Sequence, residues 1–214
     1  LMGKTVYLSA GHGWFFHSSD WWTTQRGNSW GLIEDLISTE VISQHLIAEL
    51  QRMGAYVVPI RESDPSPAMV IVDDEDPGFF MSDDWQTDAL AAGWATPIMP
   101  LQGELNPFEL GGSKRFLARS FGKYASWTVN APADGEFNVY VSWTQELNAA
   151  PDAHYVVRHA GGETHYLVDQ RRHGGTWVLL GRHFFRKDAP AEVRLIADSA
   201  DESRTITGDA VRLG

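Results

Sequence analysis

Cysteine is absent from the 214 residues, which excludes a disulfide scaffold, a thiolate zinc finger and a thiol nucleophile. Any metal site must therefore draw on His, Asp or Glu. The missing thiols leave the compartment open, because oxidising and reducing locations both tolerate their absence. Long apolar runs are missing too. Stretches such as Ala68 to Val72 and Trp177 to Leu180 fall far short of the ~20 residues that a membrane span requires. Positive charge is scarce: 17 Lys and Arg against 28 Asp and Glu give a formal net charge of −11, which argues against a dedicated binder of nucleic acid or anionic membrane. Leu1-Met2-Gly3-Lys4 leads straight into a strand-like run without an apolar h-region or cleavage site, so no signal peptide is expected in this chain. What is present, 43% hydrophobic and 12% aromatic residues, is an ordinary globular balance at a length suited to one large domain or two small ones.

Two blocks differ in pattern. In the first, Lys4 to Ala10 reads as a short buried strand, followed by an aromatic loop with Trp14, Phe15, Phe16, Trp21, Trp22 and Trp30. Apolar residues from Ile33 to Met53 then recur at helical spacing over about five turns. Gly54 sits where a helix C-terminal cap falls, and Ala55 to Ile60 resumes extended structure. Strand, helix and strand with short joints predict a βαβ unit with parallel strands. In the second block, Phe137, Val139, Val141 and Trp143 alternate with polar or half-polar neighbours, the period of a strand. The runs 155–159 and 164–168 flank Gly161-Gly162, a hairpin signal. Short strands follow at 177–180, 192–197 and 210–213, and this pattern favours an all-β sandwich. Glu62-Ser63-Asp64-Pro65-Ser66-Pro67 marks the joint. The expected division is residues 1–64, a linker at 65–69, and a sandwich over 70–214.

Between Arg61 and Lys114 there is no Lys or Arg, but eleven acids: Glu62, Asp64, Asp73, Asp74, Glu75, Asp76, Asp83, Asp84, Asp88, Glu104 and Glu109. This reads as a solvated acidic face. The alternative is a cation site around Asp73-Asp74-Glu75-Asp76-Pro77-Gly78, which lacks the spacing of an EF-hand loop.

The stretch with most chemistry is Ser9-Ala10-Gly11-His12-Gly13, at the end of the first strand. Ligands of open α/β sheets bind outside the carboxyl ends of the strands, and flanking glycines let the backbone turn sharply there. Glu34 lies near the start of the following helix, at the same end of the sheet. His12 and Glu34 can therefore converge, as two ligands of a zinc site would. Taken singly, Glu34 is an acid favoured near a helix N-terminus and His12 a loop histidine.

Val6 to Gly13, Gly31 to Glu34, the amphipathic helix and Gly54 to Asp64 together resemble the opening of zinc-dependent N-acetylmuramoyl-L-alanine amidases. The resemblance implies that His12 and Glu34 are zinc ligands and that Arg61 and Asp64 are structural. The family's third zinc ligand and its catalytic glutamate have no counterpart in residues 65–214. The second block resembles the golvesin C-terminal-like domain, a β-sandwich module of bacterial enzymes. The residues that carry this likeness include Val72 to Phe79, Trp85, Ala125 to Thr128, Gly135 to Trp143, Ala153 to Val157, Gly175 to Gly181 and Asp209 to Leu213.

The expectation is thus an α/β unit, the βαβ start of an amidase-type sheet, joined to an all-β sandwich. The chain is expected to be one fragment of a longer protein, because a βαβ unit of this size buries proportionately little surface. By resemblance its partners are peptidoglycan or muropeptides and the remaining amidase segment. Its cofactor is zinc and its location the bacterial cell envelope, periplasmic or extracellular. The bond cleaved is the amide between N-acetylmuramic acid and L-alanine, with no catalytic residue in this chain, which alone is expected to be inactive. The alternative is a non-catalytic cell-wall or carbohydrate-binding module with a vestigial metal unit. Trp14, Phe15, Trp21, Trp22 and Trp30 either line a glycan groove or pack over the core. His17 reads as a loop or cleft residue. Of the sandwich histidines, His159 and His165 flank one hairpin and read as a solvent-face pair rather than a metal site. Trp127, Trp143 and Trp177 read as core.

Overall fold

The computed structural model describes residues 1–11, 14–17, 21–24, 34, 37–38, 41–60, 68–82, 86–95, 107–117 and 122–214. The chain separates into two compact units, one within residues 1–65 and one formed by 66–98 and 107–214.

In the first unit, β1 (Thr5–Leu8) pairs in parallel with β4 (Tyr56–Pro59), from Thr5 opposite Tyr56 to Leu8 opposite Pro59. The aromatic stretch is not a plain loop. Strands β2 (Trp14–His17) and β3 (Trp21–Thr24) form an antiparallel pair within it, and the alternating bulky residues suit a pleated ribbon. The helical stretch contains a π-helical turn, Val41–Leu46, running into α1, Ile47–Arg52. A Schellman motif ends α1. Ala55 N–H donates to Leu50 C=O, Gly54 N–H donates to Gln51 C=O, and Gly54 takes φ +82°.

The apolar stripe of this helical stretch is only partly covered. No residue of α1 is buried, and Val41 (48%) and Leu46 (38%) are exposed. A helix hides its apolar face only against a sheet wide enough to cover it, and among the described residues this sheet has two strands. Among the described residues the first unit thus shows one parallel strand pair and one short helix, and no wider α/β sheet.

The second unit is a β-sandwich. Its strands are β5 (Val70–Val72), β6 (Phe79–Met81), β7 (Gln86–Gly93), β8 (Gly111–Leu117), β9 (Tyr124–Val129), β10 (Gly135–Val141), β11 (Ala153–His159), β12 (Gly162–Val168), β13 (Val178–Phe185), β14 (Ala191–Ile196), β15 (Thr205–Gly208) and β16 (Val211–Leu213). A five-stranded sheet, β12-β11-β14-β9-β6, faces a four-stranded sheet, β13-β10-β16-β5, and a three-stranded sheet, β15-β8-β7. All described pairings within these sheets are antiparallel. Period-2 writing does what the sequence predicts. Val139, Val141 and Trp143 point inward and are essentially sealed from solvent, as are Trp127, Tyr155, Val157, Val193, Leu195 and Leu213.

The largest buried side chains with polar groups in this core have partners. Trp127 Nε1–H donates to the Asp209 carbonyl and Trp143 Nε1–H to the Gln170 carbonyl, each at 3.0 Å. The Gln170 side chain donates to Tyr155 Oη and to the Thr207 carbonyl, and accepts from Thr207 N–H. Gly208 has no room for a side chain, since a Cβ there would lie 2.8 Å from the Trp127 ring. Trp177 differs from expectation. It packs with Trp94, Phe108, Ile71 and Ala210 in a second, smaller cluster rather than in the main core.

Candidate functional site

Of the residues singled out for zinc, Glu34 is helical and exposed. His12, Arg61 and Asp64 lie outside the described residues, and for His17 only the backbone is described. A catalytic zinc centre typically takes three protein ligands and a water. Glu34 is the one member of the expected zinc pair among the described residues, and no chemistry is routed through zinc here. The glycan-groove reading of Trp14, Phe15, Trp21, Trp22 and Trp30 concerns side chains outside the described residues.

The acidic run from Asp73 to Asp76 is not a uniform solvated face. Glu75 and Asp76 are exposed, whereas Asp73 and Asp74 are buried. The cause is local. Strand β5 runs inward as far as Val72, and the turn that follows is closed by Asp76, whose carboxylate accepts the Asp73 N–H at 2.9 Å. The strand thus delivers Asp73 and Asp74 to the interior, where Asp209, just before β16, meets them. Oxygens of the three carboxylates lie within 4.8 Å of one another. Asp209 accepts hydrogen bonds from Trp94 N–H and from Ser142 Oγ–H at 2.6 Å. Gly93 permits this closeness, because a Cβ there would sit 2.6 Å from Asp209 Oδ1.

Lys114, itself buried, brings its ammonium to 3.0 Å from Asp74. Asp73 Oδ1 and Asp74 Oδ1 are buried and accept no hydrogen bond. Three carboxylates against one ammonium leave excess negative charge in a desolvated place, and the acidities respond. Burial first, and then the charge of Asp74, push Asp73 up to about 7. Burial also raises Asp74, against the pull of Lys114, and raises Asp209 well above the usual carboxylate range. The cluster is therefore held together by Lys114 and by protons at moderately acid pH. Its donor set is all oxygen, which suits a hard cation such as Ca²⁺ or Mg²⁺ better than zinc. The sequence marked Asp209 only as part of the golvesin-like stretch and Lys114 only as the end of the run without Lys or Arg. The available signal was an acid between Gly208 and Ala210 at the mouth of an apolar strand.

The outward face of the five-stranded sheet is the other chemically rich surface. Register places His154, Ile196 and Tyr124 in one row, with Leu167 beyond His154. His165, Val156, Arg194, Ser126 and Phe80 form the next. Glu163, Arg158, Glu192 and Thr128 form a third. The Arg194 guanidinium lies 4.4 Å from the Tyr124 ring centre and donates to Glu192 at 2.7 Å. Phe80, 53% exposed, packs against Tyr124 at 5.6 Å between centroids. Such a patch offers apolar ring faces beside fixed polar groups.

The histidines correct the expected pairing. His165 meets His154, not His159, with 2.8 Å between His154 Nε2 and His165 Nδ1. His159 instead stacks on His183 across the sandwich at 4.2 Å. His183 accepts or donates a bond to Tyr166 Oη at 2.7 Å, and burial, with the nearby His159, depresses its pKa.

Residues 111–214 match the family model of the Golvesin C-terminal domain. The match begins at β8, so Val72 to Phe79 and Trp85 lie before it. A xanthan lyase of Bacillus sp. (strain GL1) is 31% identical over 91 residues, which are 42% of this chain and 10% of that protein. The matched part thus spans about a tenth of the length of that curated relative. Among solved structures, a Paenibacillus xanthan lyase aligns over 71% of this chain and 13% of its own, at 24% identity and a TM-score of 0.57, a likeness that speaks for the fold. A family 35 carbohydrate binding module from Clostridium thermocellum aligns over 68% of this chain and 98% of its own, at 14% identity and a TM-score of 0.44. Among the described residues, no helix is long and apolar enough to cross a membrane.

Proposed function

We propose that the sandwich is a non-catalytic polysaccharide-binding module of a larger glycan-active protein, and that its contact surface is the Phe80–Tyr124–Arg194 face. The observation that carries this reading is the place of the sequence match. The stretch shared with a xanthan lyase is a tenth of that enzyme, the size of an appended module. The exposed ring of Phe80 beside Tyr124 and Arg194 supports it, since sugars stack on aromatic faces and bond to fixed polar groups. Native affinity electrophoresis of the full chain through gels containing xanthan or a neutral galactomannan tests it. Retardation without a fall in polymer viscosity is expected. Free migration in every gel, or depolymerisation, overturns the reading.

One observation favours a second reading for residues 1–64. The parallel β1–β4 register with a helical stretch between suits the start of an amidase-type sheet. On that reading the unit belongs to a zinc amidase of the bacterial envelope that acts on peptidoglycan, with His12 and Glu34 toward the metal. The test is release of intact stem peptides from muropeptides by a protein that contains this unit and the remainder of such a domain. Products cut elsewhere, or none, count against it.

A further inference from the structure

The edge of the outward sheet face carries an arrangement that the glycan reading does not use. His154 on β11 and His165 on β12 are diagonal neighbours on that face, because Val156 opposes His165 and His154 opposes Leu167. Asp198, two residues beyond β14, reaches His154 from the other side, with both carboxylate oxygens 3.2 Å from Nδ1. A carboxylate only accepts, so Nδ1 carries the proton and the Nε2 lone pair is left facing His165. In the metal-free protein His165 Nδ1–H donates to it at 2.8 Å. The ring centroids are 5.1 Å apart and the planes are inclined by 38°.

We propose that His154 and His165 form a two-imidazole site for a late first-row divalent metal ion, with Asp198 as the positioning carboxylate. Two imidazole nitrogens bound to one ion at ~2.0–2.1 Å stand about 2.9 to 3.3 Å apart for right-angle to tetrahedral geometry. The observed separation is a few tenths of an ångström short of that, and His165 is exposed, so a small rotation of its ring brings both lone pairs onto one point. To take the ion, His165 gives up its bond to His154 and carries its proton on Nε2 instead. Asp198 fixes the tautomer and orientation of His154, the role that a carboxylate plays behind many ligating histidines. Water completes the coordination. Nitrogen donors favour ions late in the divalent series over Ca²⁺ or Mg²⁺, so the site is chemically separate from the buried Asp73–Asp74–Asp209 cluster.

The test is calorimetric titration of the full chain with Ni²⁺ and, separately, with Ca²⁺, in the absence of polysaccharide. One Ni²⁺ is expected to bind with an affinity that falls at least tenfold in His154→Ala and in His165→Ala. Asp198→Asn is expected to weaken it about 10-fold or more, as loss of a positioning partner does. His159→Ala, which removes a histidine of the other imidazole pair, is expected to leave it unchanged. Thermal melts of each variant report folding, and His165→Gln serves as the second variant at the exposed position. Ni²⁺ affinity unchanged in both His154→Ala and His165→Ala overturns the proposal. So does equal loss in His159→Ala, or no Ni²⁺ uptake by the folded chain.

Discussion

The two units use apolar residues in opposite ways. In the sandwich, Trp127, Trp143, Tyr155, Leu195 and Leu213 are sealed between sheets, and even the buried Gln170 is fully engaged. In the first unit, Tyr7 and Tyr56 are about 70% exposed, and no residue of α1 is more than partly buried. Both units are written with good local patterns. The difference lies in how many layers each pattern meets. Stability at a residue thus depends on the layer opposite it, not on its own hydrophobicity.

Substitutions sharpen that contrast. The largest effect is expected from Trp127→Ala, which empties the main core and leaves the Asp209 carbonyl without its indole donor. About 3–5 kcal/mol should be lost, read as a lower denaturation midpoint by near-ultraviolet circular dichroism. Lys114→Met comes next. Removing the ammonium from Asp73, Asp74 and Asp209 should cost about 3 kcal/mol at pH 8, and less at pH 5, where protons supply part of the missing positive charge. Urea melts at the two pH values measure the difference.

Asp73→Asn should act in the other direction. The folded-state pKa of Asp73 is raised to about 7, so the native state holds a proton that the unfolded chain releases. Stability from this group is fully present at low pH and is lost as pH rises from about 4 through 7. An amide in its place imitates the protonated acid. The variant should melt at a higher temperature than the parent at pH 8 and at nearly the same temperature at pH 4. Smallest of all, Leu46→Ala in the exposed helix should change stability by less than about 0.5 kcal/mol, read by the same urea melts. A loss as large as that of Trp127→Ala would erase the distinction between the units.

The sandwich was legible in the sequence because alternation is a local signal. Phe137, Val139 and Val141 announce both their strand and its inward face. The turn at Gly161-Gly162 likewise fixed the β11–β12 pair. The hairpin of β2 and β3 was hidden, since a run of tryptophans and phenylalanines has no period of its own. The helical stretch was visible, but its burial was not, because periodicity says which face is apolar and not what covers it.

The carboxylate cluster shows the same limit more sharply. Asp73 and Asp74 read as solvated within an acidic run, and only the pairing of β5 with β16 brings them to Asp209. Lys114 comes from β8 and closed the charge from afar. The histidine pairing failed for a related reason. His159 and His165 are near in sequence around one turn, yet they point to opposite faces of the sheet, and His154 is the residue that shares a face with His165. Contacts between distant strands are set by register, and no single segment records it.

The central claim is that polysaccharide binding belongs to the sandwich face and not to the exposed apolar surface of the first unit. Affinity electrophoresis of Phe80→Ala beside Leu46→Ala, in gels containing xanthan, tests it most directly. Both positions are exposed, so both proteins should fold. The account predicts that Phe80→Ala migrates at least several-fold more freely than the parent while Leu46→Ala is retarded like it. Equal retardation of Phe80→Ala and the parent, or loss of retardation in Leu46→Ala, would contradict it.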